Sequence, residues 1–146
     1  MCISIFEAVV YSREKDVMHN ISVHINGNII QGTALYDTGF RLKDILGNKN
    51  LLLCDFSFIS DKIEKNLCES ISLFFLENMI EDKRITPIFY SDISKDGMLP
   101  AIKPDKVICT DTNKEIENTL LVITNKKMKG EVNLLFGKEI FNMIGE

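Results

Sequence analysis

No apolar run in this sequence approaches the roughly 20 residues that carry a helix across a bilayer. Met1 to Val10 has no basic opening and no small-residue cleavage site, so it does not read as a signal peptide. No basic face is present either. The lysines and arginines are scattered among acids at a net charge of -4, which argues against a nucleic-acid partner. Cys2, Cys54, Cys68 and Cys109 fall in no metal or redox spacing, and without a secretory signal they read as reduced, intracellular, buried or idle thiols. The two histidines, His19 and His24, sit at opposite strand parity, so a shared metal is not expected. Surface or edge positions are expected for both. No internal repeat is found.

What is there suits one globular domain over residues 1–146, with 45% apolar and 26% charged residues. Ile3 to Tyr11 reads as a strand. Val17 to Ile25 alternates, Asn26-Gly27 signals a hairpin, and Asn28 to Leu35 returns. Asn50 to Cys54 reads as an inner strand, and Arg84 to Tyr90 as a strand that Pro87 confines to an edge or an end. Lys106 to Thr110 and Leu120 to Thr124 are further strands. Ile59, Ile63 and Leu67 recur at helical spacing within Ser57 to Glu69, and Ile71 to Leu76 fits either a strand or more helix. Asn133 to Ile144 reads as a helix weakened by Gly137. Many short strands with one or two helices predict a small, mainly β domain.

The return strand runs into Ala34-Leu35-Tyr36-Asp37-Thr38-Gly39, a tight loop that displays a carboxylate. Gly39 permits positive φ and close approach of another backbone, and Thr38 offers a short hydroxyl. Two such loops face to face would set two carboxylates over one water, the arrangement acid–base hydrolysis needs. An ordinary turn after a strand uses the same residue types. The triplet occurs once, so one chain cannot build a two-carboxylate site from it.

Three blocks together resemble the protease domain of the sporulation sigma-E factor-processing peptidases, an aspartic family distantly similar to retroviral proteases. They are Ala34 to Gly39 with Leu42 and Asp44, Arg84-Ile85-Thr86-Pro87, and Gly97-Met98-Leu99-Pro100-Ala101-Ile102-Lys103-Pro104-Asp105-Lys106-Val107. The resemblance implies a retropepsin-like closed β-barrel or sandwich. It also implies a homodimer with catalytic Asp37, Thr38 and Gly39 from each copy, no metal or organic cofactor, and a sigma factor precursor as substrate on the mother-cell side. Arg84, Met98 and Leu99 become candidate substrate-binding residues; Arg84 pairing with Asp44 or Asp105, or lying solvated, and core packing of Met98 and Leu99 stay open beside that. Membrane association in that family comes through a preceding multi-span domain that this chain does not include. Phe40 stands where the family usually has Asn, and Ile45 where it has Pro. The family's late strand ends in a glycine beside the catalytic loop. Leu120 to Asn125, taken as that strand, has no glycine, which implies a widened site or a catalytically impaired relative that binds a peptide or protein partner.

Overall fold

A computed structural model describes residues 18–40, 42, 44, 48–91, 96–128 and 130–144. The expected strand at Ile3 to Tyr11, and Ile45, lie outside these residues. Strand β1 (Met18–Ile25) turns at Asn26 and Gly27, whose φ angles of 49 and 84° are both positive. That is the geometry a two-residue hairpin needs to match strand twist, and Asn-Gly supplies it at least cost. Strand β2 (Asn28–Tyr36) then pairs antiparallel with β1, from Ile25 opposite Asn28 to Met18 opposite Leu35.

The other strands are β3 (Asn50–Asp55), β4 (Ile85–Ser91), β5 (Asp96–Ile102), β6 (Lys106–Cys109), β7 (Lys114–Glu115), β8 (Thr119–Thr124) and β9 (Leu134–Phe136). All nine form one sheet in the order β4-β5-β8-β3-β9-β2-β1-β6-β7. The mainly β expectation holds, but among the described residues the sheet is open and not a closed barrel. Its two edges explain this. β7 is two residues long, and Pro87 on β4 has no N–H to donate to a further strand.

Strands β3, β8 and β9 are buried on both faces because their sequences are unbroken apolar runs. Leu51, Leu53, Leu120, Val122 and Leu135 enter one cluster, while Leu52, Cys54, Leu121, Ile123, Leu134 and Phe136 enter the other. Helix α1 (Phe56–Ile59) and helix α2 (Lys65–Glu77) cover the second face, with Ile59, Leu67, Ile71 and Phe74 inward. These replace the single helix expected over Ser57 to Glu69. Asp55 stops β3 and caps α1 by accepting from the Phe58 amide at 2.9 Å and the Ser57 hydroxyl at 2.6 Å. Glu64 then adopts an extended conformation that breaks the helical path. Residues 71–76, ambiguous in sequence, continue α2. Among the described residues, no helix is long and apolar enough to cross a membrane.

The chain's end differs most from expectation. Residues 133–144 are not one helix but β9, Gly137 and helix α3 (Lys138–Ile144). A strand pairing on both sides, with β2 and with β3, outweighs the helical spacing of its leucines.

Candidate active site

Asp37 follows directly after β2, where the chain leaves the sheet centre. β9 runs parallel to β2, with Tyr36 opposite Phe136, and the Asp37 amide extends this ladder by donating to the Phe136 carbonyl at 3.0 Å. The Phe40 amide donates back to the Asp37 carbonyl at 3.0 Å and closes the turn. The loop is thus held at its entry by a buried strand pair and at its exit by its own backbone.

Asp37 is 1% exposed. One oxygen, Oδ1, accepts from the Gly39 amide at 2.9 Å. The other, Oδ2, is buried and has no hydrogen-bond partner within the described chain. Burial raises the carboxyl pKa above its ordinary value, and the Gly39 bond offsets part of that. A carboxyl so placed holds a proton more readily than a surface aspartate and leaves one oxygen free for a further group.

Thr38 is exposed at the loop tip. Gly39 is not at positive φ, contrary to the conformational reason expected for it. A Cβ there would meet only the Asp37 carboxylate, at 3.4 Å.

A glycine does stand beside the loop, just past a different strand. Thr119–Thr124 pairs with β3 and β5, away from Asp37, whereas β9 flanks the loop and is followed at once by Gly137. A Cβ on Gly137 would lie 2.9 Å from the Phe40 ring, so the glycine makes room for that ring to pack on the backbone. Phe40 and Gly137 fit as a pair. The signal was legible in Leu134-Leu135-Phe136-Gly137, an apolar run ended by glycine, but the helical reading of residues 133–144 concealed it. Leu120 to Asn125, taken in sequence as the strand beside the loop, is therefore not the strand that flanks Asp37 among the described residues.

A cleft of about 290 Å³ opens beside the loop, lined among others by Phe40, Leu42, Asp44, Asn50, Gly137 and Glu139. Asp37 itself does not line it. Leu99, on β5, packs against the cluster that holds Leu35, Leu42 and Phe40. Met98, the next residue on the same strand, points to the opposite face and joins the other cluster. Arg84 pairs with neither Asp44 nor Asp105. Its guanidinium donates to Asp82 at 2.7 and 3.0 Å and to Glu64 at 2.6 Å, tying the start of β4 to the start of α2. Asp44 instead accepts from the Lys49 amide, and Asp105 from the Asn26 amide. The loop residues 37–39 are therefore one unit, Leu99 shares their apolar support, and Met98 and Arg84 belong to other surroundings.

Residues 2–133 match the model of a peptidase family, Peptidase_U4, described as sporulation factor SpoIIGA. No curated protein matches the chain.

Proposed function

Because this chain belongs to the sporulation factor SpoIIGA peptidase family, we propose that it is an aspartic endopeptidase acting as a homodimer, with Asp37 of each copy forming one catalytic dyad. The observation that carries this reading is the Asp37 carboxyl. It is buried, fixed through one oxygen by Gly39, and left without a partner on the other among the described residues. A second copy of the loop supplies what the orphan oxygen lacks, since two carboxyls close together share one proton. Exposed Thr38 then bonds across the interface, and Gly39, which little in its own chain crowds, admits the facing backbone.

In the dyad the ionised carboxylate takes a proton from a bridging water, and that water attacks the scissile carbonyl carbon. The protonated partner gives its proton to the carbonyl oxygen, the proton taken from water then passes to the amine nitrogen, and as the C–N bond breaks the diol returns one proton to the dyad. The raised pKa of Asp37 favours one retained proton before the second carboxyl arrives. Both pKa values of the assembled dyad belong to the pair. Leu99, supported by the same cluster as Phe40, is the best placed of the candidate substrate contacts. The substrate is the precursor of a sporulation sigma factor, bound in extended form with its backbone paired along the groove.

A purely peptide-binding role rests on departures from the family pattern, and Gly137 beside the loop weighs against one of them, the missing late glycine. The test is incubation of the chain with a sigma factor precursor, beside an Asp37→Asn form. Cleavage by the wild type alone is expected. A folded wild-type dimer that cuts at no pH would overturn the reading in favour of binding.

A further inference from the structure

On the sheet face opposite the Leu35–Leu135 cluster, three side chains of different chemistry converge. His19 lies on β1, Cys109 ends β6, and Asp111 follows in the turn to β7. Strands β1 and β6 pair antiparallel with Ile21 opposite Cys109. Continuing that register two residues sets His19 opposite Asp111, and the period of two puts all three side chains on one face. Their nitrogen, sulfur and oxygen donor atoms lie within 4.8 Å of one another.

The histidine is the informative member. Its side chain is only 10% exposed, and both ring nitrogens are buried without a hydrogen-bond partner among the described residues. An imidazole left so is costly, because each buried, unpaired polar atom forfeits its water. Its Nδ1 stands 3.6 Å from Asp111 Oδ2. Two ligands of a tetrahedral zinc ion, each about 2.1 Å from the metal, lie about 3.4 Å apart. Cys109, fully buried, supplies the third donor. The Asp111 carboxylate is also held from behind, since its oxygens accept from the Asn20 amide at 2.8 Å and the Asn20 side chain at 2.9 Å. Outer hydrogen bonds of this kind fix metal ligands in place.

We infer that His19, Cys109 and Asp111 form a zinc-binding site with a fourth position for water. Mixed imidazole, thiolate and carboxylate donors suit zinc better than magnesium or calcium, which take oxygen ligands. On binding, the Cys109 thiol loses its proton to solvent as the sulfur–metal bond forms, and the histidine nitrogen gives its lone pair to the metal. The ion leaves the His19–Asp111 spacing nearly as it is, draws the farthest donors together by at most about 1 Å, and clamps β1 to β6. Two of the ligands stand some 90 residues from the first, so no short motif announces the site. It is separate from Asp37, and its test does not depend on peptidase activity.

The experiment titrates the whole, metal-free chain with Co²⁺ and follows absorption, with circular dichroism as the folding control. One equivalent of Co²⁺ should produce a thiolate-to-cobalt charge-transfer band that Zn²⁺ abolishes. Cys109→Ala should remove the band, and Asp111→Asn and His19→Gln should each weaken Co²⁺ binding about tenfold or more. If Cys109→Ala fails to fold, the other two variants decide. A folded wild-type chain without the band, a band that survives Cys109→Ala, or binding unchanged in folded Asp111→Asn and His19→Gln would each overturn the inference.

Discussion

The Gly39 amide donates to Asp37 Oδ1 at 2.9 Å, while the buried Asp37 Oδ2 has no hydrogen-bond partner among the described residues. The bond to Gly39 lowers the carboxyl pKa and burial raises it, with burial the larger effect. The folded state therefore holds the Asp37 proton more tightly than the unfolded chain does. Stability from this group is full below the ordinary carboxylate value of 3.8 and is lost as pH rises through the raised folded value. Asp37→Asn removes that loss. Denaturant midpoints measured from pH 3 to 8 should show the variant gaining on the wild type as pH rises, and a constant difference would contradict the assignment. Peptide cleavage should fall by about 10²–10⁴-fold, the range general acid–base groups contribute.

Phe40 rests on the bare backbone of Gly137, with 2.9 Å between the ring and a notional Cβ. Gly137→Ala forces the ring away and should cost about 1–3 kcal/mol, as overpacking usually does. Because Phe40 closes the catalytic turn, cleavage should fall as well. Phe40→Leu should restore part of both losses in the double variant. Strict additivity in a double-mutant cycle would show that the two residues are not coupled.

Thr38 and Asp37 should differ in their effect on assembly. Thr38→Ala removes a hydroxyl assigned to the facing loop and should weaken the dimer by about 1 kcal/mol for each bond lost. Asp37→Ala relieves repulsion between two close carboxyls and should leave the dimer as tight or tighter. Sedimentation of both variants at neutral pH measures this. A weaker dimer for Asp37→Ala than for Thr38→Ala would remove the facing-loop arrangement.

Arg84 serves the scaffold through Asp82 and Glu64. Its hydrogen bonds lower the Asp82 pKa to about 2, so the stability from this contact is present above 3.8 and is lost as pH falls through about 2. The guanidinium and Glu64 are well exposed, which limits the contribution to about 0.2–1 kcal/mol. Arg84→Ala should therefore destabilise slightly at neutral pH, with the difference fading between pH 4 and 2. A large change in KM with unchanged stability would instead place Arg84 on the substrate.

Much of this arrangement was legible in the residues. Asn26-Gly27 has the φ angles its hairpin demands, and the strand from Asn28 delivers Asp37 as its alternation implies. The strand flanking Asp37 was not legible. Leu134, Leu135, Ile140 and Ile144 fit a helical stripe, and only pairing with β2 and β3, about 80 to 100 residues earlier, makes the first part a strand. The break between α1 and α2 was hidden because Ile59 and Leu67 keep helical spacing across it while Asp55 and Glu64 set the backbone. His19, expected at a surface or an edge, is instead largely buried through its side chain. Its burial depends on Phe136, whose ring centroid lies 6.2 Å away, and on Cys109, neither of them near it in sequence.

The central claim is that two copies of Asp37 make one site. Wild-type and Asp37→Asn chains should be mixed in varying proportion at constant total concentration, left to exchange subunits, and assayed for cleavage of a sigma factor precursor. If each site needs both carboxyls, activity falls with the square of the wild-type fraction, and an equal mixture retains about one quarter. A linear decline, with about one half retained, would mean that each chain works alone.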